Sequence, residues 1–120
     1  MNVITMYEIP KMGNLRTKMI DNQPWFVAMD VTGILKYRNS RDAVRIHVNE
    51  CDRRNDISIF NSDGRRQKVT FINESGLLQL IKGSQMPRAK ELQNLIMHEV
   101  LPAIHGNHTE ERTGIKLACL

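Results

Sequence analysis

Arginine side chains, which are well suited to bind phosphate, are concentrated in the middle third of this sequence. Residues 36–68 contain nine basic and five acidic residues, whereas residues 1–35 and 69–120 are each neutral, so the net charge of +4 arises in this segment. The side chains that we expect to contact nucleic acid are Arg38, Arg41, Arg45, Arg53, Arg54, Arg65, Arg66 and Lys68.

The predominance of Arg over Lys in this segment favours nucleic acid as the partner. A guanidinium group is a planar fork of donors that matches phosphate oxygens and guanine edges better than an ammonium group does. A local excess of positive charge also attracts the phosphate backbone over some distance. A solvated basic surface that serves only solubility would have the same composition, so charge alone leaves both interpretations open.

Other reactive residue types form no convincing site. His47 and Cys51 are four residues apart and could face one zinc ion, but no second closely spaced pair completes a set of four ligands. Ser75 lacks the flanking glycine of a nucleophile elbow and is expected in the first turn of a helix. We therefore predict no metal, no cofactor and no enzymatic activity.

Three acidic residues in the basic segment could be imagined as nuclease carboxylates. They alternate with arginine, however, and are more simply explained by helix capping and charge balance. They are Asp42, Glu50 and Asp52.

Composition indicates one ordinary globular domain. The chain has 120 residues, of which 41% are hydrophobic and 25% charged. No apolar run approaches the roughly 18 residues needed to cross a bilayer. The N-terminus lacks the features of a signal peptide, so we expect an intracellular protein without membrane contact, with Cys51 and Cys119 as free thiols and Cys51 packed.

In the first third of the chain, apolar and polar residues alternate in a pattern that predicts strands. Segments 3–9, 15–20 and 25–29 have β-type composition, and residues 21–24 supply turn chemistry. Asp30 is expected to cap a short helix over 30–35, because Val31, Ile34 and Leu35 have helical spacing.

A second helix is predicted over residues 40–50, with Asn39 or Ser40 as its N-cap. Together with helix 30–35 and the connector 36–39, it has the lengths of a helix-turn-helix-like pair. Arg41 and Arg45 project from the same side of this helix, and Arg38 extends their row.

The second half of the chain predicts a hairpin followed by two helices. Residues 57–60 and 68–72 are β-type runs around a basic turn that contains Asp63-Gly64. Asn73 is expected to cap a helix ended by Gly83. The last helix should begin near Pro87, bury Leu95 and Val100, and kink or end at Pro102, with residues 106–120 forming a tail or linker. The predicted fold is a small α+β domain with short antiparallel strands and four to five helices.

Two sets of residues, in order along the chain, resemble the Bro-N domain, which is shared by phage antirepressor-like proteins and the repeated proteins of large insect DNA viruses. The first set is Pro24-Trp25-Phe26-Val27-Ala28-Met29-Asp30-Val31, Leu35-Lys36-Tyr37 and Arg41-Asp42-Ala43-Val44-Arg45-Ile46-His47-Val48. The second set is Phe71-Ile72-Asn73-Glu74-Ser75-Gly76-Leu77, Leu80-Ile81, Ser84, Pro87, Ala89-Lys90 and Glu99-Val100-Leu101-Pro102. The resemblance covers roughly residues 3–105, and we take 1–105 as the domain.

Three positions depart from the family pattern. Lys36 stands where phage members usually have Gly, which would suit a left-handed helix stop. Leu78 and Leu95 stand near positions where aromatic residues are common. Longer members carry a further C-terminal region, so the sequence fits either a shortened homologue or an excised domain.

The resemblance implies a DNA-binding domain of a viral or prophage transcription regulator, acting in a bacterial host or in the nucleus or cytoplasm of an infected cell. Duplex DNA is the expected partner, with the preference for single or double strands left open. The alternative is a protein-interaction module that captures a repressor without binding DNA, through the apolar face of helix 87–101 or an acidic partner on the basic surface. A repressor protein or a second copy of the chain is a further candidate partner.

Overall fold

Helices cover one face of an antiparallel sheet, so the fold is α+β, as the sequence predicts. A computed structural model gives the structure of residues 4–60, 63–106 and 116–119. The strands in this part of the chain are β1 (Thr5–Ile9), β2 (Gly13–Ile20), β3 (Gln23–Val27), β4 (Arg53–Phe60), β5 (Arg66–Ile72) and β6 (Lys116–Cys119). The helices are α1 (Ala28–Ile34), α2 (Ser40–His47), α3 (Glu74–Gly83), α4 (Arg88–Leu95) and α5 (Leu101–Gly106).

The described strands form one sheet in the order β4-β5-β3-β2-β1-β6, and every neighbouring pair is antiparallel. The main core lies between the sheet and the helices, where Phe26 and Ile72 are fully buried. A smaller apolar cluster lies on the opposite face and contains Trp25, Val27, Ile59 and Phe71. The β4–β5 hairpin is thus one edge of the sheet.

The three strands and the turn predicted in the first third of the chain are present, but β3 ends at Val27 and α1 begins earlier than the sequence predicts. Asp21 and Asn22 both have positive φ (53° and 65°), the geometry of a tight two-residue hairpin. Helix α1 begins at Ala28, with Val27 as its N-cap. The predicted capping role of Asp30 is therefore wrong, because its carboxylate instead accepts hydrogen bonds from Arg16 on β2.

Lys36 ends α1 in the left-handed conformation, with φ of 63°. The Lys36 N–H donates to the Gly33 carbonyl at 3.1 Å, and the Tyr37 N–H donates to the Thr32 carbonyl at 3.0 Å. This pair of bonds is the Schellman helix stop. Lys36 thus performs here the role for which glycine is the usual residue.

Helix α2 follows this stop and is shorter than predicted. The Asn39 side chain caps it by accepting from the Asp42 N–H at 3.1 Å, which confirms one of the two predicted caps. The helix ends at His47, and a 3-10 turn at Glu50–Asp52 then leads into β4. Cys51 in this turn is exposed, so its predicted packing is wrong.

The last helical segment is continuous but irregular. It begins at Arg88, directly after Pro87, as predicted. A π-helical turn at Ile96–Val100 precedes Pro102, and helical backbone continues to Gly106, so the segment does not end at the proline. The wider turn accommodates a residue that lacks an N–H and whose ring would clash with a regular turn.

The buried face of this segment differs from the predicted face by one residue. Leu92, Ile96 and Val100 are fully buried, whereas Leu95 is only partly buried at the edge of the core. The predicted buried face is therefore confirmed for Val100 and holds only in part for Leu95, which packs against the core from its edge. The alternative hypothesis supposed that this apolar face holds a repressor. Because the face is packed into the domain's own core, it is not available for that contact.

The segment 106–120, predicted as a tail or linker, contributes strand β6. Thr5 pairs with Cys119 and Glu8 with Lys116, which places β6 at the edge of the sheet beside β1. Residues 107–115 and 120 of the predicted tail lie outside the described residues.

Candidate nucleic-acid interface

Helix α2 presents its arginines outward because its opposite side is anchored in the core. Ala43 and Val44 are buried. Arg41 and Arg45 lie on the remaining side and are exposed, and Arg38 is exposed just before the helix begins. The three predicted cations of this segment therefore share the solvent side of α2 and its connector.

These arginines are available to an anion to different degrees. Arg45 approaches Asp42 at 3.5 Å, one turn away on the same helix, and both side chains are mostly exposed. Such a pair holds its partners weakly. Arg38 and Arg41 form no ion pair with any described residue.

The β4–β5 hairpin carries two further cations on the side of the sheet that faces the helices. In this register Arg66 lies opposite Phe60, Lys68 opposite Ser58, and Ile72 opposite Arg53. Since side chains alternate along a strand, residues 66, 68, 70 and 72 of β5 share one face. Ile72 belongs to the core beneath the helices, so Arg66 and Lys68 lie on the same side of the sheet as α2.

Arg53 lies where the hairpin meets α2. It is half-buried, and its Nη1 donates to the carbonyl oxygen of Val44 at 3.4 Å. This contact joins the first residue of β4 to the C-terminal half of α2. Arg53 is thus placed to orient the two basic elements rather than to extend freely into solvent.

Arg54 lies on the opposite side of the sheet. Its guanidinium donates two hydrogen bonds to the Asp56 carboxylate, at 3.2 and 2.9 Å, and lies 5.7 Å from the centre of the Trp25 ring. The hydrogen bonds from Arg54 lower the pKa of Asp56 and raise that of Arg54. The charge of Arg54 is therefore balanced by its own neighbour.

Arg65 lies in the hairpin turn and is also exposed. Its backbone N–H donates to Asp63 Oδ1 at 3.2 Å, and its Nε lies 3.9 Å from the other carboxylate oxygen of Asp63. Gly64 between them has φ of 84°, a conformation that side chains disfavour. The Asp-Gly turn predicted from the sequence is present in the described residues.

The structure thus separates the eight predicted site residues into four groups. Arg38, Arg41, Arg45, Arg66 and Lys68 are exposed on the helical side of the sheet, and we name these five the basic surface. Arg53 supports this surface from beneath. Arg54 faces the other way, and Arg65 is at the hairpin tip beside Asp63.

Two exposed apolar residues belong to the same region and were not singled out from the sequence. Phe60 is 73% exposed on the hairpin, and Ile46 is 64% exposed on α2. For Phe60, the alternation of Ile57-Ser58-Ile59-Phe60 contained the signal, because a buried Ile59 requires Phe60 to point to the other face.

The residues considered for other chemistry have structural contacts. The His47 ring packs against Tyr37 with ring centres 5.6 Å apart. The Asp52 carboxylate accepts hydrogen bonds from Asn73 and Gln79 at 3.0 and 2.9 Å, which ties the 3-10 turn to α3. Ser75 lies in the first turn of α3. Within the described ranges, no group of three or more His, Cys, Asp or Glu side chains could hold a metal ion.

Comparison with known proteins identifies the family. The model of the BRO family N-terminal domain, Bro-N, matches residues 14–102. The chain therefore belongs to the Bro-N family. No solved structure matches it.

Three relatives, one bacterial and two viral, show what this chain is similar to. An uncharacterised protein of Haemophilus influenzae is 38% identical over 67% of this chain and 39% of its own length. An uncharacterised Bro-N domain-containing protein of Autographa californica nuclear polyhedrosis virus is 35% identical over 70% of this chain and 30% of its own length. Another such protein, of Acanthamoeba polyphaga mimivirus, is 32% identical over 67% of this chain and 36% of its own length. The chain thus spans well under half the length of these relatives.

No helix within the described residues is long and apolar enough to cross a membrane.

Proposed function

We propose that this Bro-N domain binds DNA through the basic surface, without catalysing a reaction on it. The observation that carries the proposal is the register of the hairpin, which places Arg66 and Lys68 on the same side of the sheet as the arginines of α2. Two elements separated in sequence would thereby be able to contact one partner. A polyanion with phosphates at regular intervals is the partner that such a surface fits.

The two elements would contribute differently. The hairpin cations are suited to grip the phosphate backbone, which gives affinity without sequence preference. Arg41 and Arg45 lie on an exposed helix side that follows a helix-turn-helix-like connection, and they are the residues we assign to base edges. Loss of a bidentate contact from either arginine to guanine would cost about 1–3 kcal/mol of discrimination.

At the level of biology, we propose that DNA binding serves a viral or prophage regulator of transcription. The family membership and the viral relatives support this role. The alternative, capture of a regulatory protein, would now have to use the basic surface and an acidic partner, because the apolar face of α4 is buried in the core.

The proposal is tested by fluorescence-anisotropy titration of labelled 20-base-pair duplexes at low salt. Arg41→Ala with Arg45→Ala should weaken binding at least tenfold, because two cations of the proposed contact surface are removed. The matched control is Lys11→Asn with Lys90→Ala, which removes the same charge. Lys11 lies in the β1–β2 turn, away from the β4–β5 edge, and Asn tolerates its positive φ.

Equal losses in the two double variants would mean that only net charge matters, and the assignment of the interface would be wrong. If the folded wild-type protein fails to bind either duplex or single-stranded DNA at micromolar concentration, the DNA-binding proposal fails. Capture of an acidic regulatory partner would then be the remaining function of this surface.

A further inference from the structure

Phe60 is the most exposed large apolar side chain in the described part of the chain. It is the last residue of β4 and is 73% exposed, whereas Ile59 beside it is buried on the opposite face of the hairpin. Phe60 belongs to neither of the two core clusters. Burial of a side chain of this size is favourable, so the fold forgoes a sizeable stabilisation at this position.

The cross-strand neighbours of Phe60 on its own face of the hairpin are cations. Arg66 lies directly opposite it across the hairpin, and Lys68 is two residues further along the same face of β5. Directly opposite pairs have Cβ atoms about 5 Å apart and diagonal pairs about 7–8 Å apart, so both cations can reach around the ring. Neither forms an ion pair with a described residue.

We propose that Phe60 stacks on a nucleobase while Arg66 and Lys68 hold the adjoining phosphates. This inference rests on the proposed DNA-binding function and names the group that the hairpin recognises. An apolar π-face beside two cations is complementary to a nucleotide, which joins a flat aromatic ring to an anion. A purely apolar protein surface would leave both cations desolvated and unpaired, and a purely acidic one would place carboxylates against the ring.

The base could come from two sources with the same chemistry. It could belong to an unpaired strand, on which an exposed aromatic ring forms a stacking platform. It could also belong to a duplex, where an apolar wedge inserts between base steps and partly unstacks them. The experiment therefore uses both forms of DNA.

The test measures binding of the full chain to oligonucleotides that contain 2-aminopurine, whose fluorescence reports stacking, as a single strand and as a duplex. Phe60→Ala should weaken binding about five- to a hundredfold to the form that supplies the base, because stacking on one aromatic residue contributes about 1–3 kcal/mol. Phe60→Trp should bind within about twofold of the wild type, since it retains a π-face, whereas Phe60→Leu should not restore binding to the single strand.

Met97→Ala is the matched control, because Met97 is also exposed but lies on the last helical segment. Its DNA affinity should equal that of the wild type. Because Phe60 is mostly exposed, Phe60→Ala should leave the melting transition almost unchanged, which separates loss of binding from loss of fold.

The outcomes distinguish this inference from the function on which it rests. A loss confined to the single strand assigns an unpaired base, and a loss confined to the duplex assigns insertion between base steps. If Phe60→Ala binds both forms as the wild type does while Arg66→Ala weakens binding, the stacking role is overturned and DNA binding stands. If the wild type binds neither form, both proposals fall.

Discussion

The Arg16 guanidinium and the Asp30 carboxylate form a two-pronged ion pair, with Nε to Oδ2 and Nη2 to Oδ1 distances of 2.9 Å each. The backbone N–H of Arg16 also donates to Oδ2 at 2.9 Å. The last paired residues of β2 and β3 are Thr17 and Phe26, so β2 has no strand neighbour at Arg16 on this side. The Asp30 carboxylate on α1 therefore accepts the hydrogen bond from the Arg16 N–H that a backbone carbonyl of a longer β3 would have accepted.

Loss of this carboxylate should destabilise the domain. Asp30→Ala removes the acceptor of three hydrogen bonds and leaves a partly buried guanidinium unpaired, so we expect the free energy of unfolding to fall by about 1.5–3 kcal/mol. Urea denaturation at neutral pH measures the change. Asp63→Asn, which weakens only the long exposed contact to Arg65, is the control and should change stability by less than about 0.5 kcal/mol. Equal effects of the two substitutions would contradict the structural role of Asp30.

Lys36→Gly should stabilise the protein. Lys36 has φ of 63° at the helix stop after α1, a conformation that costs a side chain about 1–2 kcal/mol but costs glycine little. The greater freedom of glycine in the unfolded chain offsets about 0.4–1 kcal/mol of this gain. We therefore expect a net gain of up to about 1.5 kcal/mol in a urea titration, and a loss would show that Lys36 makes contacts worth more than its strain.

Two leucines of α4 separate the observed buried face from the one that simple spacing predicts. Leu92 is fully buried, so Leu92→Ala should cost about 2–5 kcal/mol. Leu95 is only partly buried at the edge of the core, and Leu95→Ala should cost distinctly less. Thermal or urea unfolding of the two variants checks the order, and a larger loss for Leu95→Ala would mean that the helix is rotated.

The Arg54–Asp56 pair predicts a pH dependence confined to acid conditions. Because hydrogen bonds from Arg54 lower the pKa of Asp56 in the folded state, Asp56 releases its proton more readily there than in the unfolded chain. The resulting stabilisation is fully present above the ordinary Asp pKa and is lost as the pH falls through the lowered value. NMR titration of the Asp56 carboxyl group should show this lowered pKa, and Arg54→Gln should return it toward the ordinary range. An unchanged pKa in Arg54→Gln would contradict the pairing.

Local signals in the sequence were sufficient for much of the fold. The sequence predicts Asn39 or Ser40 as one helix cap and Asn73 as another, and Asn39 and Asn73 both accept hydrogen bonds from N–H groups in the first turn of their helices. The hairpin around Gly64 was predicted from the Asp-Gly pair between two β-type runs. These features depend on residues within a few positions of each other, so the sequence contains them directly.

Features that depend on distant residues were not predictable in this way. The partner of Asp30 is 14 residues away on β2, so helical spacing gave it a capping role instead. In the last helical segment, Leu92, Ile96 and Val100 follow a spacing of four, and nothing local distinguished this face from one that includes Leu95. At the candidate interface, composition identified the arginines, but only the pairing of β4 with β5 shows which side of the sheet each residue faces.

The salt dependence of DNA affinity tests the central claim most directly. If the five cations of the basic surface each neutralise one phosphate, the logarithm of the duplex association constant should fall with the logarithm of salt concentration with a slope of about −4 to −5. Arg66→Ala with Lys68→Ala should flatten the slope by about two units, whereas Lys11→Asn with Lys90→Ala should leave it unchanged. A wild-type slope near zero, or equal slopes in the wild type and the hairpin variant, would contradict DNA binding through the basic surface.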